Sequence, residues 1–223
     1  MSNFIDALKM VTFPIHKEGY KFIFIFAFIT IIVALLSDFL GLIGLVATLW
    51  CVFFFRDPIR IAPKVEGAIV SPADGVVTKI EESVIAPSEL EIKGKKFTKI
   101  SIFLNVFNVH VNRVPFSGKI EKVVYVPGKF LSANTEDASD ENERNIAYLK
   151  TSDNKDIIFS QVAGLIARRI VSDLKDKQEV KIGDKYGIIR FGSRMDIYLP
   201  KGTKIISQVG QTMIGGETII ANI

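Results

Sequence analysis

The chain has 223 residues, room for one substantial domain plus an appendage, and its 28 Lys and Arg against 24 Asp and Glu leave a formal net charge of +4. So mild a basic excess suits an anionic lipid surface and argues against nucleic acid as a partner. A single cysteine, Cys51, excludes an internal disulfide or a thiolate metal cluster and fits a reducing compartment, while a mean hydropathy of +0.31 is high for a soluble protein.

The apolar residues are unevenly spread. Residues 1–21 place Phe4, Ile5, Leu8 and Val11 at helical spacing, predicting an amphipathic lead-in at a membrane interface. Fifteen uncharged residues follow at 22–36, then Ser37-Asp38, then seventeen more at 39–55. Asp38 is the only charge within that span, which indicates membrane. Each half falls short of the roughly 20 residues a full span needs. Two arrangements fit: a tight helical hairpin with Ser37-Asp38 at its tip, or one long tilted helix that buries Asp38. The hairpin is preferred, because a charge is costly at the bilayer centre and cheap at a turn. Lys17 and Lys21 before the apolar region, and Arg56, Arg60 and Lys64 after it, place both ends in the cytoplasm, at the cell membrane. The run ends in Arg56-Asp57-Pro58 without a small-residue cleavage site, so it reads as a retained anchor and not as a cleaved leader.

Pro58, Pro63 and Gly67 mark a linker over 56–68, giving an expected division into 1–67 and 68–223. Beyond it the sequence turns to short β-runs at 68–70, 75–80, 98–103, 119–126, 146–149, 156–161, 186–191, 194–198 and 204–206. One helix is predicted, over 162–172, and the polar stretch 137–144 reads as a mobile loop. The segments 70–77, 180–189 and 209–216 resemble in pattern the strand-and-turn repeats of lipoyl- and biotinyl-type barrels. The predicted fold class is α+β: an N-terminal membrane helical hairpin followed by a β-rich domain with lipoyl/barrel-sandwich-like character.

Three residues could carry chemistry. Gly192 and Ser193 interrupt two β-segments, as a bulge with a surface serine or as a bond that the Ser193 hydroxyl could attack. A serine is a weak nucleophile until a base takes its proton and a third group orients that base. Of the two histidines, His16 precedes the membrane segment and suits the interface, whereas His110 lies in the β-rich part. By itself His110 reads equally as a half-buried strand histidine. Asp74 before Gly75 reads as turn chemistry.

Taken together these residues closely resemble the short form of the phosphatidylserine decarboxylase proenzymes. The matching segments are Phe54-Phe55-Arg56-Asp57-Pro58, Ser71-Pro72-Ala73-Asp74-Gly75, the stretch from Phe107 through His110 to Pro115, Pro127-Gly128-Lys129-Phe130, Asn142-Glu143-Arg144, the stretch from Gln161 to Arg169, Phe191-Gly192-Ser193-Arg194 and Gly215-Gly216-Glu217-Thr218. They cover nearly the whole chain in the expected order.

The resemblance implies a lyase that decarboxylates phosphatidylserine to phosphatidylethanolamine at a membrane. In that family pattern Ser193 attacks the Gly192 carbonyl, with His110 as base and Asp74 orienting it. The ester then eliminates, giving a β-chain of residues 1–192 and an α-chain of 193–223 whose first residue becomes a pyruvoyl group. This group forms a Schiff base with the substrate amine, so neither a metal nor pyridoxal phosphate is implied. The two fragments stay together as an α/β heterodimer, and the resemblance allows a homodimer. Longer family members carry a second histidine where this chain has Arg113, which cannot act as a base at neutral pH. His110 is therefore expected to serve both maturation and reprotonation. Arg168, Arg169 and Arg194 are candidates for the substrate's phosphate or carboxylate. Two alternatives stand beside this reading: a non-catalytic membrane-anchored adaptor with a lipoyl-like domain, and the same chemistry on another serine-phospholipid backbone.

Overall fold

The computed structural model describes residues 13–92, 94–128, 142–164, 169–190 and 193–223. The predicted lead-in residues Phe4, Ile5, Leu8 and Val11 lie outside the described residues. The chain divides into two compact units, Met1–Ile59 and Arg60–Ile223.

The first unit holds two helices, α1 (Gly19–Ala34) and α2 (Asp38–Phe54). Ser37 breaks the helical path with extended dihedrals (φ −162°, ψ 128°), and Asp38 opens α2, where the helix dipole favours an acid. Small residues let α2 fold back closely along α1. A Cβ added to Gly41 would lie 2.7 Å from that of Ala34, and one on Gly44 2.8 Å from Thr30 Oγ1. The Thr30 and Thr48 hydroxyls meet at 2.9 Å, and each also lies within hydrogen-bond distance of the carbonyl four residues before it; with one proton apiece, one hydroxyl donates across to the other while its partner donates to its own carbonyl. In apolar surroundings such close packing and hydroxyl bonding supply helix association. Phe24, Phe28, Ile31, Leu35, Leu36 and Phe39 are exposed. Among the described residues no helix is long and apolar enough to cross a membrane.

The second unit is built on a curled eight-stranded antiparallel sheet. It contains β2 (Gly75–Ile85), β3 (Lys96–Leu104), β5 (Gly118–Val126), β6 (Arg144–Lys150), β7 (Asp156–Ala163), β9 (Glu179–Val180), β11 (Ser193–Pro200) and β13 (Thr212–Met213). Their order is β13-β2-β3-β11-β7-β6-β5-β9. Two small sheets complete it. One joins β1 (Ala68–Val70) to β14 (Ile219–Asn222) and β12 (Lys204–Ile205); the other joins β4 (Val111–Arg113) to β10 (Lys185–Ile189) and β8 (Ile170–Ser172).

Alternation along the strands sorts side chains to two faces. Ile100, Ile102 and Leu104 of β3, Ile157 and Phe159 of β7, and Met195, Ile197 and Leu199 of β11 fill the main core. Phe97, Ile158 and Tyr198 pack on the opposite face. Each such side chain contributes about 1.5–3 kcal/mol on burial, so the centre of the sheet is its most strongly fixed part. β11 lies at that centre, paired with β3 from Ser193↔Leu104 to Pro200↔Phe97 and with β7 from Ser193↔Ala163 to Tyr198↔Ile158.

Two predicted features are corrected. The helix predicted over 162–172 is not seen where the structure describes that segment: Val162 and Ala163 continue β7, and Ile170–Ser172 forms β8, while 165–168 lie outside the described residues. Its apolar spacing fits a helix, but pairing to both β6 and β11 satisfies the backbone of Val162 and overrides that local preference. Nor is 142–144 a mobile loop, because Asn142 and Glu143 are buried and Arg144 starts β6. The run 186–191 stops as a strand at Ile189. The strand-and-turn pattern at 180–189 and 209–216 corresponds to two turns, 181–184 and 208–211. Each has glycine at its third position, Gly183 at φ 83° and Gly210 at φ 87°, and each precedes a strand.

Asp156 shows how an end of the central sheet is held. Its carboxylate accepts from Tyr148 Oη at 2.6 Å and from Lys95 Nζ, with Lys150 Nζ at 3.4 Å. Burial pushes the carboxyl up, but the hydrogen bonds from Lys95 and Tyr148 and the charges of Lys95 and Lys150 outweigh it and hold the group below its ordinary range. The folded value lies below the unfolded one, about 3.9. The stabilisation is therefore complete above that pH and drains away as pH falls through the folded value. Asp156→Asn is expected to cost about 1–3 kcal/mol at pH 7. Urea unfolding at descending pH should show its deficit against the parent shrinking below pH of about 4.

Candidate active site

Ser193 is the first residue of β11, fully buried, and its Oγ has no hydrogen-bond partner among the described residues. It shares a strand face with Met195 and points to the main core. Arg194 takes the other face with Asp196, its Nε 2.9 Å from Oδ1 and its Nη2 3.2 Å from Oδ2. Ser101 Oγ donates to the same Asp196 at 2.7 Å. Arg194 is thus adjacent to Ser193 in sequence but turned from it in space, with its charge balanced by Asp196.

His110 is fully buried directly before β4. Two connections bring it to the end of the sheet where Ser193 lies. β3 ends at Leu104, opposite Ser193, and the next six residues lead to His110. The His110 carbonyl then accepts from Ile189 N at 3.3 Å, and Ile189 is four residues before Ser193. Asn105 and Asn108 stiffen the intervening turn: Asn105 N donates to Asn108 Oδ1, and Phe107 N to Asn105 Oδ1, each at 2.9 Å. His110 Nδ1 lies 3.0 Å from the Asn108 carbonyl oxygen. A carbonyl can only accept, so Nδ1 carries a proton, and in the neutral ring the lone pair is then on Nε2. That tautomer suits a general base.

Asp74 engages both oxygens elsewhere. Oδ1 accepts from Gly215 N at 2.7 Å, and Oδ2 from Arg60 Nη2 at 3.1 Å. Arg60 Nη1 also lies 3.8 Å from Glu217, whose Oε1 accepts from Ile61 N at 3.0 Å. Arg60, read from sequence as a topogenic charge, is a partner of Asp74; nothing in the local sequence signals so distant a pair. The segment carrying Asp74 reaches the histidine strand through Pro72, whose carbonyl accepts from Arg113 N at 2.9 Å. Gly75 (φ 150°) permits this path, since a Cβ there would lie 2.2 Å from the Phe103 carbonyl oxygen.

The remaining candidates are spread more widely. Gly192 and Arg168 lie outside the described residues, and Arg169 is exposed, its carbonyl accepting from Arg190 N at 3.3 Å. Arg113 is buried, and its Nη1 donates to the Gly183 carbonyl at 3.1 Å. Sequence reasoning gave no role to Asn142 and Glu143. Asn142 Nδ2 donates to the Ala163 carbonyl at 2.7 Å, and Glu143 accepts from Ala163 N through its carbonyl and from Ile170 N through Oε1. They brace the strand that pairs with Ser193. Among the described residues no three His, Cys, Asp or Glu side chains gather into a metal-binding group.

A buried serine at the start of a central strand, its Oγ without a hydrogen-bond partner among the described residues, and a buried histidine whose Nδ1 donates to a carbonyl are groups suited to nucleophilic chemistry. Residues 47–221 match the family model for phosphatidylserine decarboxylase, and the chain belongs to that family. It is 49% identical over 222 residues to the phosphatidylserine decarboxylase proenzyme of Rickettsia africae (strain ESF-5), covering 100% of this chain and 94% of the relative. It is 50% identical over 222 residues to that of Rickettsia akari (strain Hartford), with the same coverage. It is 47% identical over 219 residues to that of Cereibacter sphaeroides (strain ATCC 17025 / ATH 2.4.3), covering 98% of this chain and 94% of the relative.

Proposed function

We propose that this chain is a proenzyme that cuts itself between Gly192 and Ser193 and then decarboxylates phosphatidylserine to phosphatidylethanolamine. The observation that carries the reading is the buried Ser193 Oγ, without a hydrogen-bond partner among the described residues, in a chain of this family. Leaving a hydroxyl dry and unsatisfied costs about 1–3 kcal/mol, so its retention asks for a chemical reason.

His110 Nε2 takes the Oγ proton as Oγ bonds to the Gly192 carbonyl carbon. The peptide C–N bond then breaks, and the nitrogen leaves as the amine of Ser193. Loss of the Ser193 Cα proton expels the new ester as the Gly192 carboxylate. Water replaces the nitrogen, and ammonia departs. Ser193 thereby fits as the source of a pyruvoyl group, which supplies an electron sink for the carbon–carboxylate bond that breaks in the substrate. His110, held in place by the Asn108 carbonyl, also returns a proton to the carbon that lost carbon dioxide. Asp74, which the family pattern assigns to orienting His110, acts through the segment it anchors: Gly215 on one side, and Pro72 against Arg113 on the other. Residues 193–223 stay attached after the cut, because β11 remains paired to β3 and β7, β13 to β2, and β14 to β1.

The helical unit is proposed to seat in the cell membrane, with the β-rich unit on the cytoplasmic side. Its exposed phenylalanines and leucines support this. At 1.5 Å per residue its helices measure only about 24–26 Å against roughly 30 Å of hydrocarbon, so the pair dips into the bilayer. The test is the covalent state of the purified protein. Denaturing electrophoresis and mass spectrometry are expected to find residues 1–192 and 193–223 as separate polypeptides. The smaller should be lighter by one ammonia than a serine-terminated peptide, and the pair should release carbon dioxide from phosphatidylserine vesicles. A folded, intact 223-residue chain would overturn the proposal.

A further inference from the structure

Three buried amides connect the two sheets that carry the reactive residues. Gln161 Nε2 donates to Asn112 Oδ1 at 2.8 Å, and Asn145 Nδ2 donates to Gln161 Oε1 at 3.1 Å. Gln161 and Asn112 are fully buried, and Asn145 is 5% exposed. Asn145 and Gln161 are register partners on β6 and β7 of the large sheet, whereas Asn112 lies on β4 of a small one. Gly187, the partner of Asn112 on β10, gives the bridge its room. A Cβ there would lie 3.2 Å from Gln161 Nε2 and 2.3 Å from the Val171 carbonyl oxygen.

The placement of this bridge is what matters. Gln161 is two residues before Ala163, the register partner of Ser193, and Asn112 is two residues after His110. Two strand residues span about 7 Å. The bond therefore ties the sheet holding the nucleophile to the sheet holding the base, close to both. Apolar packing could join the sheets with comparable strength but would tolerate sliding; a buried directional bond whose loss strands polar groups fixes one separation. The amides also interrupt strand faces that otherwise point into the main core, which packing alone does not call for.

We infer that the Asn145–Gln161–Asn112 chain is a positioning device that sets the separation of Ser193 and His110 for self-cleavage. The inference rests on the proposed cut between Gly192 and Ser193. A misplacement of about 1 Å can slow a positioned reaction by around a hundredfold.

The experiment follows cleavage of the full-length precursor after cell-free synthesis, with the rate constant scored on the folded, protease-resistant fraction across a pH series. Asn112→Leu keeps the volume and removes the acceptor; Gln161→Met removes the same bond from the other side. Each is expected to slow cleavage at least about tenfold at every pH. Asn112→Asp keeps an acceptor for Gln161 and is expected to restore the rate to within about threefold of the parent. Leu149→Ala, a core change away from the site, should lower the unfolding temperature without altering the rate. The inference fails if both bond-removing variants cleave at the parental rate, if Asn112→Asp does not restore it, or if Leu149→Ala slows it equally. A parental chain that never cleaves would overturn the underlying function instead, and this inference with it.

Discussion

Ser193→Ala is expected to leave a single 223-residue polypeptide that is folded, at least as stable as the parental precursor, and devoid of decarboxylase activity. Alanine offers no nucleophile, so neither the ester nor the terminal carbonyl group can form. Without that group the substrate has no electron sink, and activity falls by the whole catalytic acceleration, on the order of a millionfold or more. Stability should move the other way. Ser193 is fully buried and its Oγ lacks a partner among the described residues, so removing the oxygen relieves a desolvation cost of about 1–3 kcal/mol without breaking a hydrogen bond. Gel analysis, thermal unfolding and carbon dioxide release on one preparation decide the matter. An uncleaved chain that unfolds much earlier than the parent would mean that the serine was structural. A cleaved one would place the nucleophile elsewhere.

Much of the β-rich unit is legible in the sequence because its long strands carry the signal that a strand physically produces. β3, β7 and β11 alternate or run continuously with β-branched and aromatic residues, as half-buried or doubly covered strands must. Strands of two or three residues, such as β4, β9 and β13, are too short to show a period; distant partners define them. The helix predicted over 162–172 fails for a related reason, since spacing alone does not show that its two ends, Val162–Ala163 and Ile170–Ser172, are paired as strands. In the proposed site, Ser193 and His110 are picked out through their motifs. The role of Arg194 is not legible in the same way: neighbours in a strand face opposite sides, and the local sequence does not show that Asp196 holds it. Asp74 is found as a residue, but its partners Arg60 and Gly215 are brought to it by the fold.

In the proposed mechanism, maturation and turnover converge on His110. Arg113, where longer family members have a second histidine, cannot substitute: its guanidinium keeps its proton, Nη1 is bonded to the Gly183 carbonyl, and its backbone N–H is tied to Pro72. His110→Ala is therefore expected to slow cleavage by about 10²–10⁴-fold, the usual contribution of a positioned base. The cavity left by the ring should admit free imidazole, so added imidazole should recover part of the rate; a purely structural loss would not respond. The few molecules that do mature test the second role. Turnover per small fragment, counted by mass spectrometry, should remain depressed in His110→Ala if the same nitrogen reprotonates the product carbon. Parental turnover per matured site would restrict His110 to processing, and cleavage at the parental rate would remove it from both steps. A shared role is also what the hydrogen bond to Asn108 favours. With Nδ1 donating to the Asn108 carbonyl, the neutral ring can take a proton from Ser193 at Nε2 during maturation and later, once protonated, give one to the substrate.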